Sequence, residues 1–142
     1  MPLWDIHTPV DFFSPTEKHS LAQSITKIYS MLPTFYVRVR FTELPADSYF
    51  TGGKPESNFV HLQIWHLARQ LHGTEQRQGF LRKVDEVLNP VMEAKGCDWE
   101  YTIDESPMDM WKLNGITPPE ANSAMEKEWK RADRPVKEAG KM

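Results

Sequence analysis

Met1-Pro2-Leu3-Trp4-Asp5-Ile6-His7 opens the chain, with Leu3, Asp5 and His7 on one side of an alternating pattern and Trp4 and Ile6 on the other. That alternation predicts a short strand over residues 3–7. Proline is small enough that removal of Met1 is expected, which leaves Pro2 as an N-terminal secondary amine on a rigid element. An α-amino group titrates lowest of the unperturbed amines, at about 7.7–8.0. Burial lowers it further, because an apolar site disfavours the charged form. A buried Pro2 would therefore be a neutral base near pH 7. Many chains begin Met-Pro without such chemistry, and a retained Met1 would block it.

Outward from this strand, residues 8–13 read as a loop. Ser14-Pro15-Thr16-Glu17 is a helix start, with Ser14 as cap, Pro15 at the first helical position and Glu17 closing a capping box. Leu21, Ile25, Ile28 and Leu32 recur at helical spacing, and Pro33 stops the run. Residues 35–44 alternate as a second strand, with Val37, Val39 and Phe41 opposite Arg38, Arg40 and Thr42. Residues 46–58, containing Gly52-Gly53, read as a long turn or hairpin excursion. Residues 59–67 are a third strand. Thr74 caps a second helix with a stripe of Phe80, Leu81, Val84, Val87, Leu88 and Val91, in which Pro90 predicts a kink or a shortening. Gly96 ends it, and Trp99, Tyr101 and Ile103 alternate as a fourth strand.

Strand, helix and strand thus occur twice, over residues 2–44 and 59–103. Each half has the length of a β-α-β unit with a parallel pair and right-handed crossover. The predicted fold is α/β in its two-layer α+β form, a tandem β-α-β repeat building a four-stranded mixed sheet with two helices on one face. One sheet face is then left bare, and burial against another subunit is the usual remedy. Residues 106–142 form a C-terminal extension, with a short helix begun by Ser106-Pro107-Met108-Asp109 and ended by Asn114-Gly115. A second amphipathic helix spans residues 120–132, anchored by Met125 and Trp129. The charged end, residues 131–142, is expected to fray.

At 142 residues the chain has the length of a single domain. A formal charge of −3 gives no basic footprint for nucleic acid. The single Cys97 cannot form an internal disulfide. No apolar run is long enough to span a membrane and no signal-peptide pattern opens the chain, so a cytoplasmic setting without membrane partners is the expectation. The five histidines lack metal-ligand spacing, and no phosphate loop or serine elbow is present. Neither a metal nor a cofactor is expected.

A neutral amine beside fixed cations suits a small acid with an acidic proton next to a carbonyl. Arg38, Arg40 and Arg69 are the candidate carboxylate clamps, because a guanidinium matches the carboxylate fork. Arg38 and Arg40 serve equally well in a solvated or intersubunit ion pair. Tyr101 and Tyr29 are candidate hydroxyl donors to a developing enolate, with a core role the simpler reading of Tyr29.

Several marks in order resemble the tautomerase superfamily, and within it the group of cis-3-chloroacrylic acid dehalogenase. They are Pro2 opening the first strand, Ser14-Pro15 with Lys18-His19, Glu43-Leu44-Pro45, Phe50-Thr51-Gly52-Gly53, Phe59-Val60-His61 and Trp99-Glu100-Tyr101. The resemblance implies a homotrimer and a proline acting as base or acid on small unsaturated or 2-oxo acids. It implies Pro2 and Tyr101 as catalytic and Arg69 as substrate-binding. It also puts His72 where the group has a second arginine, Tyr29 where the dehalogenases have a histidine, and Leu113, beside Asn114, where they have a water-activating glutamate. Leu113 cannot polarise water, so tautomerisation is the leading expectation. A dehalogenase or hydratase-like lyase that places water with Asn114 or Tyr29 is the alternative. A non-catalytic trimeric protein of the same fold is the third reading.

Overall fold

A computed structural model describes residues 1–138. The elements run β1 (Pro2–Pro9), α1 (Pro15–Ile28), β2 (Arg38–Leu44), β3 (Phe50–Thr51), β4 (Lys54–Pro55), β5 (Phe59–His66), α2 (Gly73–Lys95), β6 (Asp98–Glu105) and α3 (Ala124–Ala132). The main sheet has the order β2-β1-β5-β6. β1 pairs parallel with β2 and β5 parallel with β6, while β1 and β5 meet antiparallel. The two β-α-β units are therefore joined through their first strands into one mixed sheet, as the repeat predicts. Among the described residues no helix is long and apolar enough to cross a membrane, and no group of three or more His, Cys, Asp or Glu could hold a metal ion.

One face of the sheet carries the core. Trp4 and Ile6 of β1 and Val60, Leu62 and Ile64 of β5 are fully buried in one cluster with Leu21 and Ile25 of α1 and Val84 and Leu88 of α2. Burial of each such side chain contributes about 1.5–3 kcal/mol, enough to fix the strand register, since a one-residue slip would expose the whole set. On the opposite face Asp5 is buried under polar neighbours. Its carboxylate takes Arg40 Nη2 at 2.8 Å, the Thr42 hydroxyl at 2.8 Å and His7 Nε2 at 3.3 Å. Burial raises the Asp5 carboxyl pKa, but the bonds from Arg40 and Thr42 and the charge of His7 outweigh it and leave it lowered.

Several boundaries differ from the sequence reading. β1 runs to Pro9, because its ladder with β2 continues through Thr8 opposite Glu43 and Pro9 opposite Leu44. Thr34–Tyr36 is a 3₁₀ turn, closed by the Tyr36 N–H on Pro33 O and the Val37 N–H on Thr34 O, so β2 begins only at Arg38. The second helix starts at Gly73 with His72, not Thr74, at the cap position. It passes through Pro90 to Lys95, since Leu88 and Met92 on either side are both held in the core. The expected helix after Ser106 is reduced to a 3₁₀ turn at Met108–Met110 and a bridge between Leu113 and Ile116, around Asn114 and Gly115 at positive φ. α3 begins at Ala124 because Ser123 caps it, accepting from the Glu126 N–H. Residues 131 and 132, expected to fray, lie in α3, and Val136 O accepts the Trp129 indole N–H at 2.8 Å. The rest of that expectation, residues 139–142, lies outside the described residues.

Candidate active site

β1 delivers Pro2 to the end of the sheet, buried and opposite His66 of β5. Met1 continues past it, and its carbonyl accepts the N–H groups of Leu67 at 3.2 Å and Ala68 at 3.1 Å. The Met1 amine is pushed down from 8.0 to about 4. Burial is the largest cause, followed by the Arg38 charge; Glu126 acts in the opposite direction and Arg69 adds a smaller lowering. With a pKa of about 4, the Met1 amine is neutral at pH 7. Loss of Met1 also removes the carbonyl that satisfies two backbone donors, leaving Leu67 N–H and Ala68 N–H beside the Pro2 nitrogen.

Arg69 leaves the end of β5 and meets α3. Its Nη1 and Nη2 hold the two oxygens of Glu126 at 3.2 and 2.7 Å, and Nη1 also bonds Ala68 O at 2.7 Å. Glu126 is buried, and its Oε1 takes the Asn122 N–H at 3.0 Å as well. Tyr36 borders the same charges. Its hydroxyl is buried without a hydrogen-bond partner, and burial, reinforced by Glu126, pushes its pKa up to about 12, against the opposing pull of Arg69. His66 is the second buried polar group there. Neither ring nitrogen forms a well-aligned hydrogen bond, with the Arg69 backbone a polar neighbour. Burial lowers its pKa, Glu105 and the Arg69 backbone pull the other way, and the N-terminal amine lowers it further. A cavity of about 280 Å³ opens beside it between the end of α1 and the start of α2, lined by Tyr29, His66, Arg69, Gln76 and Phe80 among others.

Pro2, Arg38 and Arg69, three of the residues predicted from sequence, converge on this corner. Arg40 does not: it belongs to the Asp5 cluster and lies 5.9 Å over the Trp65 ring on the face away from the helices. Tyr29 is a core residue whose hydroxyl accepts the Trp4 indole N–H at 2.9 Å; burial raises its pKa well above the ordinary phenol, against that hydrogen bond. Its ring, in contact with His66 and Phe80, reaches the cavity wall. Tyr101 is four strand positions from the level of Pro2 and two strands across. That is about 13 Å along the sheet and about 10 Å sideways. Its hydroxyl donates to Asp85 of α2 at 2.7 Å, so it does not meet Pro2 within one protomer. His72 is exposed at the cap of α2, its N–H bonded to Gln76. Asn114 is exposed in the turn after Leu113, on the rim of a separate groove with Trp129 and Val136.

Sequence reasoning missed Tyr36, His66 and Glu126. His66 was legible as the last inward position of a strand whose Val60, Leu62 and Ile64 point to the core. Glu126 was signalled by Ser123-Ala124-Met125-Glu126, a cap followed three residues later by glutamate, and by its place one turn before Trp129.

Over residues 1–134 the chain matches the Tautomerase_3 family model, described for oxalocrotonate tautomerase-type enzymes. It is similar, at 50% identity and TM-score 0.92, to an Aspergillus fumigatus protein described as a probable enzyme, over 96% of this chain and 97% of that one. RhCC of Rhodococcus jostii RHA1 is 40% identical with TM-score 0.91, over 96% and 99%. A member of the cis-3-chloroacrylic acid dehalogenase family, at 18% identity and TM-score 0.69 over 89% of each chain, shares the fold. No curated protein matches the chain. The chain belongs to the tautomerase superfamily, in the family of oxalocrotonate tautomerase-type proteins.

Proposed function

We propose that the protein is a proline-dependent tautomerase acting on a small carboxylated keto or enol acid, with Pro2, exposed by loss of Met1, as the base. The observation that carries this reading is the buried N-terminal corner, where the Met1 amine is pushed down to about 4 with Arg38 as its strongest cationic neighbour. A neutral secondary amine there takes a proton from the carbon next to the substrate carbonyl and returns it to the other end of the enol system. Arg38 and Arg69 form the cationic side that receives the carboxylate. The N–H groups of Leu67 and Ala68, relieved of the Met1 carbonyl, are placed to stabilise charge on an adjacent oxygen. No cofactor takes part in this scheme.

Tyr101 serves as a hydrogen-bond donor only if a neighbouring protomer supplies it. A homotrimer would bury the polar sheet face around Asp5 and bring such a tyrosine to the amine; a fused 4-OT that shares this fold is described as a trimer. Light scattering at micromolar concentration and neutral pH is expected to give the mass of three chains; a stable monomer there rejects the assembly.

Leu113 and Asn114 decide between tautomerase and dehalogenase chemistry. Leu113 has no group to activate water, and Asn114 lies on an exposed turn, lining a groove that does not include Pro2, Arg38 or Arg69. Ketonisation of phenylenolpyruvate is expected to be measurable, with little or no chloride released from 3-chloroacrylates under the same conditions. Robust chloride release would return the dehalogenase reading to first place, and loss of both activities would favour a non-catalytic role.

A further inference from the structure

Glu126 is a carboxylate that sequence reasoning did not single out, and it stands where an acidic substrate would. It fills the fork of Arg69 with two bonds, at 3.2 and 2.7 Å. It is fixed from its own side by the Asn122 N–H and by the Ser123 cap at the start of α3. A buried carboxylate held by three hydrogen bonds, on a residue whose backbone N–H is also fixed by the Ser123 cap, does not swing aside at small cost. Arg38, by contrast, has no carboxylate within ion-pair distance among the described residues, although it is the cation acting most strongly on the N-terminal amine.

We propose that Glu126 sets substrate charge at the Pro2 site: by neutralising Arg69 it leaves Arg38 as the one guanidinium there without a carboxylate partner, so the site selects monocarboxylates over dicarboxylates. The inference rests on the proposed acid-binding site and names the class of acid it takes. With the amine neutral at pH 7, the two guanidinium charges less one carboxylate leave a net charge of one, which matches a monoanion. A second substrate carboxylate would meet Glu126 at Arg69 and would be repelled in a site where burial weakens screening. Removal of the Glu126 charge opens the Arg69 fork and creates a site for a dianion. Glu126 acts through Arg69, so it is a positioning residue.

Calorimetric titration with crotonate and fumarate tests this without depending on turnover, so its outcome is separate from that of the catalytic proposal. Both acids have four carbons and are fully ionised at pH 7. The natural protein, with Met1 loss confirmed by mass, is expected to bind crotonate at least about 10-fold more tightly than fumarate, a factor corresponding to one lost charge interaction. Glu126→Gln is expected to move the ratio at least about 10-fold toward fumarate, and Glu126→Asp, which keeps the charge, to retain the natural preference. Where circular dichroism shows that Glu126→Gln does not fold, the double variant Arg69→Gln/Glu126→Gln replaces it. Its net charge is unchanged, and it is expected to keep the preference for crotonate. An unchanged ratio in folded Glu126→Gln, a natural preference for fumarate, no binding of either acid, or a shift to fumarate in the double variant overturns the proposal.

Discussion

Pro2→Ala is expected to lower turnover of a small enol acid by about 10²–10⁴-fold, the range of a positioned general base. Alanine still leaves an N-terminal amine after loss of Met1. That amine is primary, differs in basicity and lacks the ring that fixes the direction of the nitrogen at the start of β1. The substitution removes the geometry of proton transfer while leaving Arg38 and Arg69 in place, so the loss falls on kcat more than on KM. The pH profile carries the sign. Burial and the Arg38 charge lower the amine at this corner, and the base works when deprotonated. Activity therefore rises with pH through the amine pKa and is level by pH 8. In a chain that retains Met1, the shift of the Met1 amine bears on stability: unfolded, that amine binds a proton between about pH 4 and 8 where the folded one does not. The folded state accordingly loses this contribution as the pH rises from 4 to 8 only if the amine is raised; being lowered, it gains stability with rising pH through that window. A Pro2→Ala protein with turnover within a factor of two of the natural one removes the catalytic role from Pro2.

Trp129→Ala is expected to cost about 3–5 kcal/mol of stability, as large-to-small changes of buried aromatic residues do. Trp129 is 1% exposed. Its ring packs against Phe35 and Tyr36, and its indole N–H ties down Val136 O. The ring seats α3 on the two aromatic residues that precede β2, and that seat also holds Glu126 against Arg69. The variant should therefore lose acid binding as well as stability. Urea denaturation followed by fluorescence and far-ultraviolet dichroism measures the change. A cost below about 1 kcal/mol, the ordinary level for a single surface contact, would show that α3 is not an integral part of the fold.

The sheet was legible because each main strand alternates and each helix carries its own stop signal. Val60, Leu62 and Ile64 mark the inner face of β5, and Ser14 with Glu17 caps α1 as the motif requires. The second helix misled at Pro90 because a local rule about one missing N–H was outweighed by Leu88 and Met92 in the core. Arg38 and Arg40 look equivalent in sequence, two residues apart on one strand. They part company through tertiary neighbours: Arg40 finds Asp5 at 2.8 Å, whereas Arg38 acts on the chain terminus. Tyr101 is expected from sequence beside Pro2; within one protomer the register puts it on β6, two strands away, where its hydroxyl donates to Asp85 of α2. Glu126 lies 57 positions from Arg69, and no local pattern announces an ion pair over such a separation. The part of the site made by distant contacts was therefore beyond local pattern reading.

Catalysis by Pro2 requires its amine to be neutral at working pH. Nitrogen-15 NMR of protein labelled at proline, with Met1 loss confirmed by mass, follows the titration of that amine directly. A pKa below the ordinary α-amino range of about 7.7–8.0 is expected, matching the pH at which activity reaches half its plateau. A Pro2 nitrogen that titrates within or above that range, or whose pKa is unrelated to the activity profile, contradicts it.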